Sequence, residues 1–313
     1  MNITIRPLEK TDLTAAERIF RLAFGTFLGL PDPMSFMGDA DLVKTRWLAG
    51  PSAAFGAYSD GKLIGSNFAA NWGSFGFFGP LTVRPDLWEK GVAKQLLQAT
   101  MELFEKWGTR QAALFTFPQS PKHIALYQKF GFWPQFLTPV MSKVIEQRQE
   151  GGGWSLYSKT PVSEQESSLR QCFALTDAIF PGLDLEREIR ALSDQRIGDT
   201  VLLRDGDALM ALAICHIGKG SEAGTGSTYV KFGAVRPGRD APGLFDRLLS
   251  ACEALGAERG APQLVAGVNM ARHQAYRAMI DRGFRTFLQG VAMQRPNEAG
   301  YNRPDCFVID DWR

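Results

Sequence analysis

The chain has 313 residues, 45% of them hydrophobic and 22% charged, enough apolar material for a packed core in each of two domains. A formal net charge of +2, with no run of five or more Lys/Arg, leaves no footprint for a nucleic-acid partner. No signal-like apolar segment opens the sequence and no window of about 18 apolar residues is present, so a membrane span is excluded and a cytoplasmic location expected.

In chain order, residues 3–6 alternate as a strand and 11–24 carry helical periodicity. Residues 54–58, a turn at Asp60-Gly61 and the run from Leu63 predict a hairpin. Gly79-Pro80-Leu81-Thr82-Val83-Arg84-Pro85 then leads through Trp88-Glu89-Lys90-Gly91-Val92-Ala93 into a helix. On it Ala93, Leu96, Leu97, Thr100, Phe104 and Trp107 share a face opposite Lys94, Gln98, Glu102 and Glu105, and Gly108 ends it. A buried strand at 112–117, a short helix ending at Gly131-Phe132 and a strand near 139–144 complete the unit.

The same order then recurs. Val83-Arg84-Pro85 reappears as Val235-Arg236-Pro237, Gly91 as Gly243, and Leu96-Leu97 as Leu248-Leu249. Gly108 reappears as Gly260 and Gly131-Phe132 as Gly283-Phe284, always 152 residues on. A common offset at five landmarks reads as a duplication, with copies at 1–146 and 154–313 joined by a linker at 147–153 that contains Gly151-Gly152-Gly153. A glycine-rich insert at 218–227 lengthens a hairpin of the second copy. The four cysteines, Cys172, Cys215, Cys252 and Cys306, form no C-x-x-C pair and are expected to be free thiols. The three histidines lie far apart, so no metal is expected.

A strand entering a glycine-bearing turn at a helix start is an anion site, because the first helical N–H groups lack partners and the helix dipole favours negative charge. Gly91 and the small Ala93 would let a phosphate approach the backbone. This strand, turn and amphipathic helix, followed by Tyr127-x-x-x-Gly131-Phe132, resemble the GNAT superfamily of N-acetyltransferases in each half, most closely from Gly79 to Phe132. The resemblance implies an α/β (mixed α+β) fold of two tandem domains, each a mixed V-shaped sheet flanked by helices. It implies acetyl-CoA as co-substrate, with the pyrophosphate on the turn Trp88, Glu89, Lys90, Gly91, Val92 and Ala93. The pantetheine arm would run along Leu81, Thr82 and Val83. Trp88 departs from the family's usual glutamine or arginine.

Tyr127 stands where the family carries a tyrosine beside the thioester sulfur, as a general acid for the departing thiolate; the alternative is that it packs with Ile124 on the core. Ser120, followed by Pro121, reads as a helix N-cap with a secondary cofactor contact. The family's strand acid is missing, since residues 72–82 contain no carboxylate. Either a water relay deprotonates the amine or Asp39 or Asp41 reaches in. The aromatics Phe68, Trp72, Phe75, Phe77 and Phe78 wall an acceptor site or fill the core.

The second copy carries Asp240, Pro242 and Phe245 in its turn and Met279 in place of Tyr127, which reads as a degenerate site. The expected function is acetyl transfer to a primary amine of a small molecule or peptide. The alternatives are a non-catalytic acyl-CoA-binding or regulatory protein and a purely structural tandem module.

Overall fold

The computed structural model describes residues 2–146 and 153–313; all of the expected linker but Gly153 lies outside them. The first copy runs β1 (Thr4–Pro7), α1 (Leu13–Phe27), α2 (Leu42–Ala49), β2 (Ala54–Ser59), β3 (Lys62–Trp72), β4 (Phe75–Phe78), β5 (Thr82–Val83), α3 (Val92–Trp107), β6 (Gln111–Thr116), α4 (Pro121–Gln128) and β7 (Trp133–Val144). The second runs β8 (Trp154–Leu156), α5 (Val162–Asp177), α6 (Glu186–Gln195), β9 (Gly198–Asp205), β10 (Ala208–Gly218), β11 (Gly224–Val235), α7 (Ala241–Glu258), β12 (Gln263–Gly267), α8 (His273–Asp281) and β13 (Arg285–Arg295). A strand the sequence did not announce, β14 (Val308–Ile309), follows. Local chemistry explains the punctuation. Asp60 and Gly61 both take positive φ, the backbone that a tight hairpin turn requires. Gly108 closes α3 in the left-handed conformation and returns its N–H to Glu105 and Phe104.

Among the described residues the strands form one sheet in the order β1-β2-β3-β4-β6-β13-β7-β12-β11-β10-β9-β8, with β5 on β3 and β14 on β11. The two copies exchange their last strands. β13 pairs with β6 through Val291↔Thr116, and β7 pairs with β12 through Val140↔Gly267. At the centre β7 and β13 run antiparallel, and Thr138 faces Gly290, its own counterpart 152 residues on. That self-pairing marks a pseudo-twofold axis. Gly290 is needed there because a Cβ would lie 2.1 Å from the Phe115 ring.

The exchange merges the cores. Met141 and Ile145 of the first copy pack among the side chains of β9–β12 and α7, while Trp72, Phe75 and Phe77 pack with Leu183, Leu185 and Ile189 of the second. Lys143 of β7 gives its ammonium to Glu253 of α7 at 2.9 Å, and Arg282 joins the same buried carboxylate at 2.8 Å. The division at 1–146 and 154–313 therefore describes the order of elements, whereas in space each unit's last strand belongs to the other's half of the sheet. No helix among the described residues is long and apolar enough to cross a membrane.

Produced alone, residues 1–146 would leave one edge of β6 unpaired and β7 without its flanking strands. Neither half should then melt cooperatively as a monomer, whereas co-production should restore one cooperative complex. Size exclusion and thermal melts check this; a monomeric, cooperatively melting 1–146 fragment would contradict it.

Candidate active site

β4 and β6 run parallel, with Phe75, Gly76 and Phe77 opposite Gln111, Ala112 and Ala113, and then part. After Phe78 the chain turns through a cis Gly79-Pro80 bond and resumes as β5, which among the described residues pairs only with β3 (Ser66↔Thr82, Gly65↔Val83), while β6 runs on to Thr116. A gap opens between them. Arg84 N–H bonds the Ile64 carbonyl at 2.9 Å, so in the alternation of an antiparallel pair the backbone groups of Val83, and of Leu81 two residues before, point away from β3 into the gap. Thr82 points the other way and its hydroxyl meets that of Ser66 at 3.1 Å, so it adds nothing to the gap. Trp88, which stands where the family usually has glutamine or arginine, donates its indole N–H to the Val83 carbonyl at 2.8 Å. It ties the turn to the strand and takes up one lone pair of the Val83 carbonyl, while the Val83 N–H stays open to the gap.

The turn is shaped for a bound anion. Glu89 and Gly91 take positive φ, and α3 starts immediately after. Trp88, Lys90 and Gln95 N–H groups have carbonyl partners in Pro85, Leu87 and Gly91. Among the described residues, the N–H groups of Glu89, Gly91, Val92, Ala93 and Lys94 have none, and they gather at the positive end of α3. A Cβ on Gly91 would meet nothing within 4 Å, so the space beside it is open. Val92 buries its side chain in the core and offers its amide alone; Ala93 packs half-buried beside it. Glu89 pairs across the surface with Lys122 of α4, and that hydrogen bond holds its carboxyl below the usual range.

On the other side of the gap, Leu114 and Thr116 of β6 turn toward α4, and Phe115 and Phe117 turn to the opposite face. Tyr127, buried on α4, lies against Phe78 at 5.9 Å between ring centres, with Thr116 of β6 beside its phenol. Burial pushes its phenol well above the ordinary tyrosine pKa, against the smaller opposing effect of Thr116, so it holds its proton. His123, one turn earlier on the same face of α4, rests on Phe27 at 4.9 Å, and burial lowers its pKa. Phe117 meets Phe24 and Phe27 of α1, which close the gap from that face. Ser120 caps α4 by accepting the His123 N–H.

The remaining expectations fall as follows. Phe68, Trp72, Phe75, Phe77 and Phe78 are all buried and form core. Asp39 is taken by the Thr225 N–H (2.8 Å) and hydroxyl (2.6 Å), and Asp41 caps α2 through the Lys44 N–H at 2.9 Å. Two carboxylates the sequence reading missed, Glu188 and Glu222, come from the second copy to the face of β3 and β4, held by Trp72, Lys231 and Arg46. More than 100 residues separate them from that face, and only the glycine-rich insert near Glu222 gave any hint. Among the described residues no group of three or more His, Cys, Asp or Glu could hold a metal ion.

In the second copy the corresponding gap is filled by the chain itself. Gly233 and Val235 stand 152 residues after Leu81 and Val83. There β14 pairs with β11 (Gly233↔Ile309, Ala234↔Val308), and the Val235 N–H bonds the Phe307 carbonyl at 3.3 Å. Arg272 secures the insertion through the Val308 carbonyl at 2.8 Å, and Phe307 packs on the fully buried Phe245 at 5.4 Å. Met279 is buried in the same core.

Comparison with known proteins agrees with this architecture. The acetyltransferase (GNAT) family matches residues 17–132. A candidate acetyltransferase from Pyrococcus horikoshii superposes over 99% of this chain and 95% of its own at 14% identity, with a TM-score of 0.71. A tandem GNAT protein of the clavulanic acid biosynthesis pathway covers 94% of this chain and 98% of its own at 13% identity and a TM-score of 0.56. A GCN5-related N-acetyltransferase from Sphaerobacter thermophilus covers 94% and 95% at 14% identity and a TM-score of 0.54. No curated protein matches the sequence. The first half of the chain thus matches the acetyltransferase (GNAT) family, and the fold of the whole chain is that of a tandem GNAT protein.

Because the folded state keeps the Tyr127 proton that an unfolded chain releases near pH 10, its contribution to stability is complete below that pH and is lost as pH rises toward the higher folded value. Tyr127→Phe should therefore lose less stability than the wild type in melts stepped from pH 8 to 11. Equal alkaline losses would contradict the burial of this phenol.

Proposed function

We propose that residues 1–146 transfer the acetyl group of acetyl-CoA to a primary amine of a small-molecule or peptide acceptor. Residues 154–313 form a degenerate copy that binds no cofactor. The observation that carries this reading is the gap between β5 and β6, which leads from the unpartnered amides of Glu89, Gly91, Val92, Ala93 and Lys94 to the buried phenol of Tyr127. The amides and helix dipole hold the pyrophosphate. The N–H of Val83 and the backbone of Leu81 align the pantetheine arm as an added strand would be aligned.

Acetyl-CoA supplies an activated thioester. As the amine nitrogen bonds the acetyl carbon and the C–S bond breaks, Tyr127 gives its proton to the leaving sulfur, and the amine's surplus proton passes to water and returns to the phenol. Asp39 and Asp41 are engaged elsewhere, which supports the water route. The same engagement favours a second reading, a non-catalytic acyl-CoA-binding protein. A reducing, cytoplasmic setting is part of the proposal, supported by four buried free thiols.

Turnover of acetyl-CoA across a panel of amines separates the two readings. Within it, Tyr127→Phe should lower kcat by about 10²–10⁴-fold with little change in acetyl-CoA affinity. Unchanged kcat in a chemistry-limited assay would remove Tyr127 from its role.

A further inference from the structure

The second copy reaches the proposed cofactor strand of the first through one buried cation. Arg46 of α2, 8% exposed, donates from Nη1 to the Gly79 carbonyl at 2.6 Å. Gly79 is where the chain leaves β4 and turns toward Leu81. The other donors of Arg46 face the second copy: Nε and Nη2 reach Glu222 at 3.2 and 2.8 Å, and Nη2 also meets the Arg313 carbonyl. Glu222, 2% exposed, also takes Lys231 at 2.8 Å, on the oxygen that accepts Arg46 Nε. Lys231 pairs with Glu188 at 3.0 Å, and Glu188 accepts the Trp72 indole N–H at 3.2 Å, which returns the network to the first copy. Burial pushes the Glu222 carboxyl up, but Arg46 and Lys231 outweigh it and keep the group ionised.

Glu222 sits in the turn joining β10 to β11, inside the glycine-rich insert. The same turn grips the loop before α2. Gly220 N–H bonds the Asp39 carbonyl at 3.2 Å, Asp41 N–H bonds the Ser221 carbonyl at 2.9 Å, and Thr225 binds the Asp39 carboxylate. Strand and loop are thus both anchored to one hairpin of the other copy. A guanidinium locked by a carboxylate presents its remaining N–H in a fixed direction, which a single-point ammonium cannot do.

Resting on the reading of the gap as an acetyl-CoA site, we propose that Arg46 and Glu222 are positioning residues. Through them the second copy's hairpin holds the Gly79 carbonyl, and with it the Leu81 and Val83 edge, in register for the pantetheine arm. This gives the degenerate copy a part in cofactor binding although its own gap is filled.

The test is calorimetric titration of full-length variants with acetyl-CoA, beside a thermal melt of each. Arg46→Lys keeps the charge and loses the fork; Glu222→Gln keeps the shape and loses the anchor, and serves if the first does not fold. Glu188→Gln is the control, since it breaks the same buried network at Lys231 and Trp72 without contacting Arg46, Glu222 or Gly79. Arg46→Lys and Glu222→Gln should weaken acetyl-CoA binding by about 10- to 100-fold, whereas Glu188→Gln should lower the melting temperature and leave the affinity as it was. Wild-type affinity in both Arg46→Lys and Glu222→Gln would overturn the proposal, as would a loss in Glu188→Gln equal to theirs, which would make affinity a reflection of stability. A wild-type protein that binds no acetyl-CoA would instead show that the gap is misread, and the positioning role would fall with it.

Discussion

β4 satisfies only one edge of β6, and a strand edge left open costs its unpaired backbone groups and invites association. Here the other edge is closed by β13 from the far end of the chain, as β12 is closed by β7. The rest of the structure follows from this exchange. The cores of the two copies become continuous, and a buried charged group such as Glu253 can take Lys143 from the other copy as partner. The exchange also bears on the chemistry. Thr116, which lies beside the Tyr127 phenol, is paired directly to Val291 of β13. One wall of the gap is therefore fixed by a strand of the second copy, and the other is fixed by Arg46 with its carboxylate from the same copy.

Duplication gave two gaps and the copies then diverged in what fills them. In the first, small residues at Gly91 and Ala93 leave space beside unpartnered amides. In the second, Phe245 occupies the position of Ala93 and Phe307 packs on it, with β14 hydrogen-bonded along the strand edge. Burying a side chain of that size contributes roughly 1.5–3 kcal/mol, so the second gap adds to stability where the first stays open. Both outcomes come from the same backbone geometry, a strand that leaves its neighbour and exposes alternate amides.

The sequence was informative wherever the signal is local. The Asp60-Gly61 turn, the Ser120 cap and the glycine-ended helix are chemistry of adjacent residues, and each appears in the structure. Periodicity says that residues 139–144 form a strand but not beside what, because alternation fixes a face and not a partner; the exchange was therefore invisible. β7 also starts earlier than expected, since exposed Trp133 and Phe136, with bulges in its pairing, break the alternation that marks a strand. Around the gap, the placement of Gly91 and Ala93 at the start of α3 and of Tyr127 on α4 was legible. The indole of Trp88 was not, nor was the pairing of Arg46 with Glu222 across 176 residues, because both depend on tertiary contacts.

The central claim is that one gap is open and the other is filled by the chain. Titration of the full-length protein with acetyl-CoA tests it most directly, in parallel with Gly91→Val, which places a branched side chain at a left-handed position beside the unpartnered amides, and Gly243→Ala, which meets no neighbour within 4 Å of its Cβ. The account predicts saturation at one equivalent, lost in Gly91→Val and kept in Gly243→Ala. Two equivalents, or binding that survives in Gly91→Val and disappears in Gly243→Ala, would contradict it.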